Sequence, residues 1–100
     1  MIMAIIAVFD MPGVTQAQYE ESANRVTKGG GPAKKSSDWP VPGLIAHIAG
    51  PSPTGWFVTD VWDSEESFAK FGEIIVPILR DLGVGDAQPK VFPAFNVVTS

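Results

Sequence analysis

One hundred residues bound this chain to a single domain spanning residues 1–100, and a net charge of −4 with no basic run longer than Lys34-Lys35 argues against a nucleic-acid partner. The absence of cysteine excludes disulfides, thiolate nucleophiles and cysteine-based metal sites. The apolar start, Met1–Phe9, is too short to span a membrane and has no basic segment ahead of it, so a cytoplasmic protein is expected. At 45% hydrophobic and 18% charged residues the composition is on the apolar side of globular, which leaves apolar surface for a subunit interface.

Met3–Phe9 is nearly all apolar and reads as a central strand buried on both faces, ended by Asp10-Met11-Pro12-Gly13. Thr15 with Gln18 three residues on has the spacing of a capping box. The helix that follows, Gln16–Val26, carries Tyr19, Ala23 and Val26 as its inner stripe. Lys28–Pro42 is a long loop, and loops of this length without structure of their own are usually functional or disordered. Its Gly29-Gly30-Gly31 is no phosphate loop, because no Lys-Ser/Thr follows at the required spacing. Trp39-Pro40-Val41-Pro42 is apolar and stiff, which predicts that this end of the loop is docked.

Leu44–Ala49 and Trp56–Trp62 read as two strands around the turn Pro51-Ser52-Pro53-Thr54. A hairpin closing Gly50 on Gly55 sets Ala49 opposite Trp56, His47 opposite Val58 and Ile45 opposite Asp60. Side chains alternate along a strand, so Ile45, His47, Ala49, Trp56, Val58, Asp60 and Trp62 share one face. Leu44, Ala46, Ile48, Phe57, Thr59 and Val61 share the other, which looks like ordinary core under a helix. The first face holds the only histidine of the chain beside a carboxylate and two of the three tryptophans.

Asp63 or Ser64 is the expected cap of a second helix, with Asp63 and Glu66 at capping-box spacing and Glu65 and Glu66 at the positive end of the helix dipole. Phe68, Phe71, Ile75, Ile78, Leu79 and Leu82 form its apolar stripe. Pro77 predicts a kink or break near Ile75–Val76, and Gly83 and Gly85 end the element. Lys90–Val98 is the last strand, and Pro93 within it marks an edge.

The order β-α-β-β-α-β is the ferredoxin-like pattern. Its connections set the first and third strands at the centre of an antiparallel sheet, with both helices on one face. The face bearing His47, Trp56 and Trp62 is then expected to be the uncovered one. Two such sheets packed face to face would cover each other in a homodimer with a barrel-like interior.

The run Gly43–Phe71, GLIAHIAGPSPTGWFVTDVWDSEESFAKF, with a proline in the following helix, resembles the dimeric α+β barrel superfamily. Within it the chain is similar to small actinobacterial relatives of the antibiotic-biosynthesis-monooxygenase domain. The resemblance implies a dimer with a pocket at the concave face of the sheet. Members include cofactor-free oxygenases of polycyclic phenols, haem-degrading enzymes and isomerases. It carries over to His47, Asp60 and Trp62 on the strands and, more loosely, to Asn96. The loop Lys28–Pro42 is longer than the resemblance implies.

Each of these residues has a structural reading beside the functional one. His47 suits a general base, a hydrogen-bond donor to a phenolate or a haem ligand, or a strand histidine paired with Asp60. Asp60 orients His47 or bonds a loop. Trp56 and Trp62 stack on a flat ligand or anchor a core, and Trp39 is a lid or a docked loop residue. One histidine supplies too few ligands for a metal site. The reading that follows is a small-molecule-binding homodimer, expected to need no cofactor and to act as a monooxygenase on an aromatic phenol. His47 and Asp60 would be catalytic, and Trp39, Trp56, Trp62 and Asn96 would bind substrate. The alternatives are a non-catalytic dimer binding a metabolite or protein, and a haem-binding protein.

Overall fold

The computed structural model describes residues 3–31, 33–84 and 88–99. Strand β1 (Ile5–Pro12) is followed by helix α1 (Gln16–Val26), the hairpin of β2 (Leu44–Pro51) and β3 (Gly55–Trp62), helix α2 (Glu65–Asp81) and strand β4 (Lys90–Pro93). The four strands form one antiparallel sheet in the order β2-β3-β1-β4. This is the expected ferredoxin-like α+β arrangement, with the first and third strands central.

The face of the sheet under the helices is the reverse of the one expected. Trp56, Val58, Asp60 and Trp62 of β3 and Ile5, Ala7, Phe9 and Met11 of β1 are all buried. They pack against α2, where Phe68 and Phe71 lie with ring centroids 6.2 and 5.2 Å from that of Trp62. The opposite face leaves Ile48 67%, Phe57 38% and Phe92 49% exposed. β1 is therefore buried on one face only, with Ile6 and Val8 half-buried on the other. The aromatic bulk decides the matter: two indoles bury more apolar area than Ile48 and Phe57 do. The polar pair on the same face satisfies itself on burial.

The hairpin register differs from the expected one by two residues, pairing Ala49 with Val58, His47 with Asp60 and Pro51 with Trp56. The strands run further than expected, and Ser52 and Gly55 exchange two backbone hydrogen bonds of 3.0 and 3.3 Å around Pro53-Thr54. A slip by an even number keeps every side chain on its face, so His47, Asp60 and Trp62 do stand together. A bulge between Leu44 and Ala46 breaks the alternation. It turns Leu44 inward opposite Trp62 and leaves Ile45 exposed, exchanging the faces expected for these two residues.

Thr15 caps α1 through the capping box with Gln18. Ser64, not the Asp63–Glu66 pair, caps α2, its hydroxyl accepting from Ser67 N at 3.1 Å. α2 continues through Pro77 without the expected break; Pro77 is exposed, so its lost donor and its ring face water. Gly83 ends the helix with φ +82°, while Gly85 lies outside the described residues. The Arg25 guanidinium joins α1 to α2 through Asp81 at 2.6 Å. β4 is an edge strand as expected but stops at Pro93, so Asn96 stands beyond the sheet and is exposed.

The loop before β2 contains a short 3-10 helix, Ser36–Asp38, and its end is docked as predicted, with Val41 7% exposed. It joins the sheet at Gly43, whose carbonyl accepts from Asp63 N at 2.8 Å. Gly43 has φ +113°, and a Cβ there would stand 2.7 Å from both Asp63 Oδ1 and Ser67 Oγ. Gly50, by contrast, has open space where a Cβ would be. Gly43→Ala is expected to lower unfolding stability by about 2 kcal/mol or more, while Gly50→Ala changes it by less than about 1 kcal/mol. Urea unfolding of the two variants beside the parent measures the contrast.

Candidate functional site

The site is assembled where the edge strand β2, the central strand β3, helix α1 and the docked loop meet. The hairpin register sets His47 directly across from Asp60. His47 Nδ1 lies 2.6 Å from Asp60 Oδ1, and the indole N–H of Trp62 donates to Asp60 Oδ2 at 3.4 Å. The second imidazole nitrogen, Nε2, is 2.7 Å from the hydroxyl of Tyr19 on α1. The result is a continuous chain, Tyr19–His47–Asp60–Trp62, running from the inner face of α1 into the centre of the sheet.

The donor roles follow from what each atom can do. The Asp60 carboxylate, 1% exposed, offers only acceptors when ionised, so Nδ1 carries the proton toward it. Nε2 of the neutral ring is then an acceptor, and the Tyr19 hydroxyl donates to it. Burial and the negative charge of Asp60 both raise the Tyr19 pKa, burial being the larger effect. Tyr19 is thereby kept as a neutral phenol.

Aromatic rings frame this chain. Tyr19 stacks on Trp56 with centroids 5.0 Å apart, and Trp39 leans over His47 at 4.8 Å and over Phe71 at 5.5 Å. Between sheet and helices lies a mainly apolar cavity of about 50 Å3, with Tyr19, His47 and Asp60 on its wall together with Phe9, Trp39 and Ile75. That space takes a few water molecules and falls far short of the ~300 Å3 that a drug-sized ligand fills. Trp39 and His47 also line a second space of about 210 Å3, a groove between the loop and β2. Their two rings therefore form the partition between groove and cavity.

Of the residues expected at a site, the structure brings His47, Asp60 and Trp39 together. Trp62 is fully buried beneath Asp60 and holds the carboxylate from below, and Trp56 backs Tyr19; neither lines the cavity. Asn96 lies past the end of β4, is exposed and lines neither the cavity nor the groove. Tyr19 is the addition. As the only tyrosine and part of the inner stripe of α1, it is recognisable as a site residue once the helices are known to cover the histidine-bearing face. No group of acidic and histidine side chains able to hold a metal ion occurs among the described residues, and no helix there is long and apolar enough to cross a membrane.

Comparison with protein-family models, with curated proteins and with solved structures finds no match.

Folding favours the protonated form of Tyr19. Its contribution to stability is therefore whole below the ordinary tyrosine pKa of 10.0 and is lost as the pH rises from there through the raised folded-state value. The parent protein should lose stability more steeply than Tyr19→Phe above about pH 10. Urea midpoints of both proteins across this range supply the measurement.

Proposed function

We propose that the protein binds a small phenol-like aromatic molecule between its sheet and its helices, in the cavity opened into the adjoining groove by movement of Trp39, and that the Tyr19–His47–Asp60 chain handles a proton of that ligand. The observation that carries this reading is the chain itself. A buried carboxylate, an imidazole and a neutral phenol stand in series at 2.6 and 2.7 Å on the wall of an apolar cavity. In such a series a ligand hydroxyl gives its proton to the Tyr19 oxygen as Tyr19 passes its own to His47 Nε2, and Asp60 stabilises the imidazolium formed.

A cofactor-independent monooxygenation fits this chemistry. An anthrone-like substrate, once deprotonated, is electron-rich enough to reduce dioxygen itself. Its methylene becomes a carbonyl with one oxygen atom, and the other leaves as water with the two hydrogens removed. The aromatic walls of the cavity support this class. A second reading, a non-catalytic binding protein, is favoured by the engagement of both His47 nitrogens within the protein. Haem ligation through His47 is not proposed, because Tyr19 already holds Nε2.

Intrinsic tryptophan fluorescence during titration with phenols and anthrones tests the binding. Saturable quenching is expected, weakened at least ~10-fold in His47→Ala, the loss of a buried hydrogen-bonding partner. Oxygen uptake that disappears in both His47→Ala and Asp60→Asn would establish catalysis. Binding without uptake would leave the non-catalytic reading, and no quenching in a folded protein would sink both.

A homodimer is part of the same proposal. The outer face of the sheet leaves Ile48 of β2, Phe57 of β3 and Phe92 of β4 exposed, and covering each recovers on the order of 1–3 kcal/mol. The paired surface would thus be the face opposite His47, with each cavity complete within one chain. Ile48→Lys is expected to turn a dimer into a folded monomer in sedimentation velocity. A parent protein that is already monomeric at high concentration would refute the dimer.

A further inference from the structure

The groove outside the Trp39–His47 partition differs in chemistry from the cavity inside it. Lys34 and Lys35 stand on its loop wall, opposite Leu44 and Ile45 of β2. Both lysines are exposed. Among the described residues, the lysine and arginine side chains paired with carboxylates are Arg25 and Lys70; neither lysine of the groove is among them. The nearby Asp38 carboxylate is turned to the backbone, accepting from Lys34 N at 3.1 Å, and this bond fixes the course of the chain that carries the lysines. In a chain of net charge −4, two adjacent cations with no carboxylate partner among the described residues thus stand at the outer side of the ligand cavity.

We infer that the ligand is an aromatic acid. Its ring passes Trp39 into the cavity, and its carboxylate stays outside on Lys34 and Lys35. This inference rests on the reading of the cavity as a ligand site. The charges decide the orientation. Inside, a second anion would face the buried Asp60 carboxylate with no cation to offset it, and an unpaired buried charge is strongly disfavoured. Outside, the same group meets two ammonium groups while remaining hydrated. Trp39 stands at the boundary, where its ring can stack on that of the ligand once displaced from His47. The inner cavity alone is too small for a bicyclic ring; the groove and cavity joined by the movement of Trp39 are not.

The experiment compares naphthol with hydroxynaphthoate, the same ring without and with a carboxylate, by tryptophan quenching at low salt. The parent protein is expected to bind hydroxynaphthoate roughly three- to tenfold more tightly than naphthol, the scale of one or two exposed ion pairs, and to lose the difference as salt is added. The double variant Lys34→Gln/Lys35→Gln should bind both compounds equally, with its affinity for naphthol unchanged. If the parent binds the two alike, or if its preference survives in the double variant, the assignment of an acid is overturned while the cavity reading stands. If neither compound quenches, the cavity reading falls and the inference falls with it.

Discussion

Everything about this site depends on the burial of one carboxylate. Asp60 sits in the central strand β3 with almost no exposure, and an isolated charge in such a place would be expelled or neutralised. Two neighbours prevent this: the His47 ring at 2.6 Å and the Trp62 indole below. His47 in turn needs a partner for its second nitrogen, and Tyr19 provides it from α1. Helix, edge strand and central strand are thus locked to one another by a single polar line through an otherwise apolar core. Such lines give one unique arrangement when fully satisfied, and removing any member leaves the others unpaired.

The two faces of the sheet divide the tasks of the protein. The inner face carries the largest side chains, the polar line and the cavity. The outer face carries Ile48, Phe57 and Phe92, which no described residue covers. Because the bulge at Ile45 sits between the two inward residues Leu44 and His47, the edge strand serves both purposes at once. It keeps His47 aimed at Asp60 while it releases Ile45 toward the groove.

The architecture was legible in the amino-acid order because local signals agreed with one another. Thr15 and Gln18 mark the start of α1, the Gly and Pro positions mark the turns, and the apolar stripe of α2 has a clear helical period. The pairing of His47 with Asp60 was legible in kind, since an even slip of register preserves faces. What could not be read was which face the helices would cover. Periodicity separates two faces without ranking them, and the mixed polar and aromatic set looked less like core than the plain aliphatic one. That choice concealed Tyr19, whose hydroxyl matters only if α1 lies over His47. The bulge was equally hidden, because one extra residue leaves no mark on alternation until its neighbours are paired.

Both edge strands end in a proline, Pro51 in β2 and Pro93 in β4. Each removes a donor from the row that another chain would need for pairing, and β4 is only four residues long. Sheets protected in this way do not grow sideways. Pairing at these edges is thus disfavoured, and the exposed apolar side chains of the outer face are left to contacts made by stacking. The two prolines guard the sheet against edge-to-edge growth into fibres.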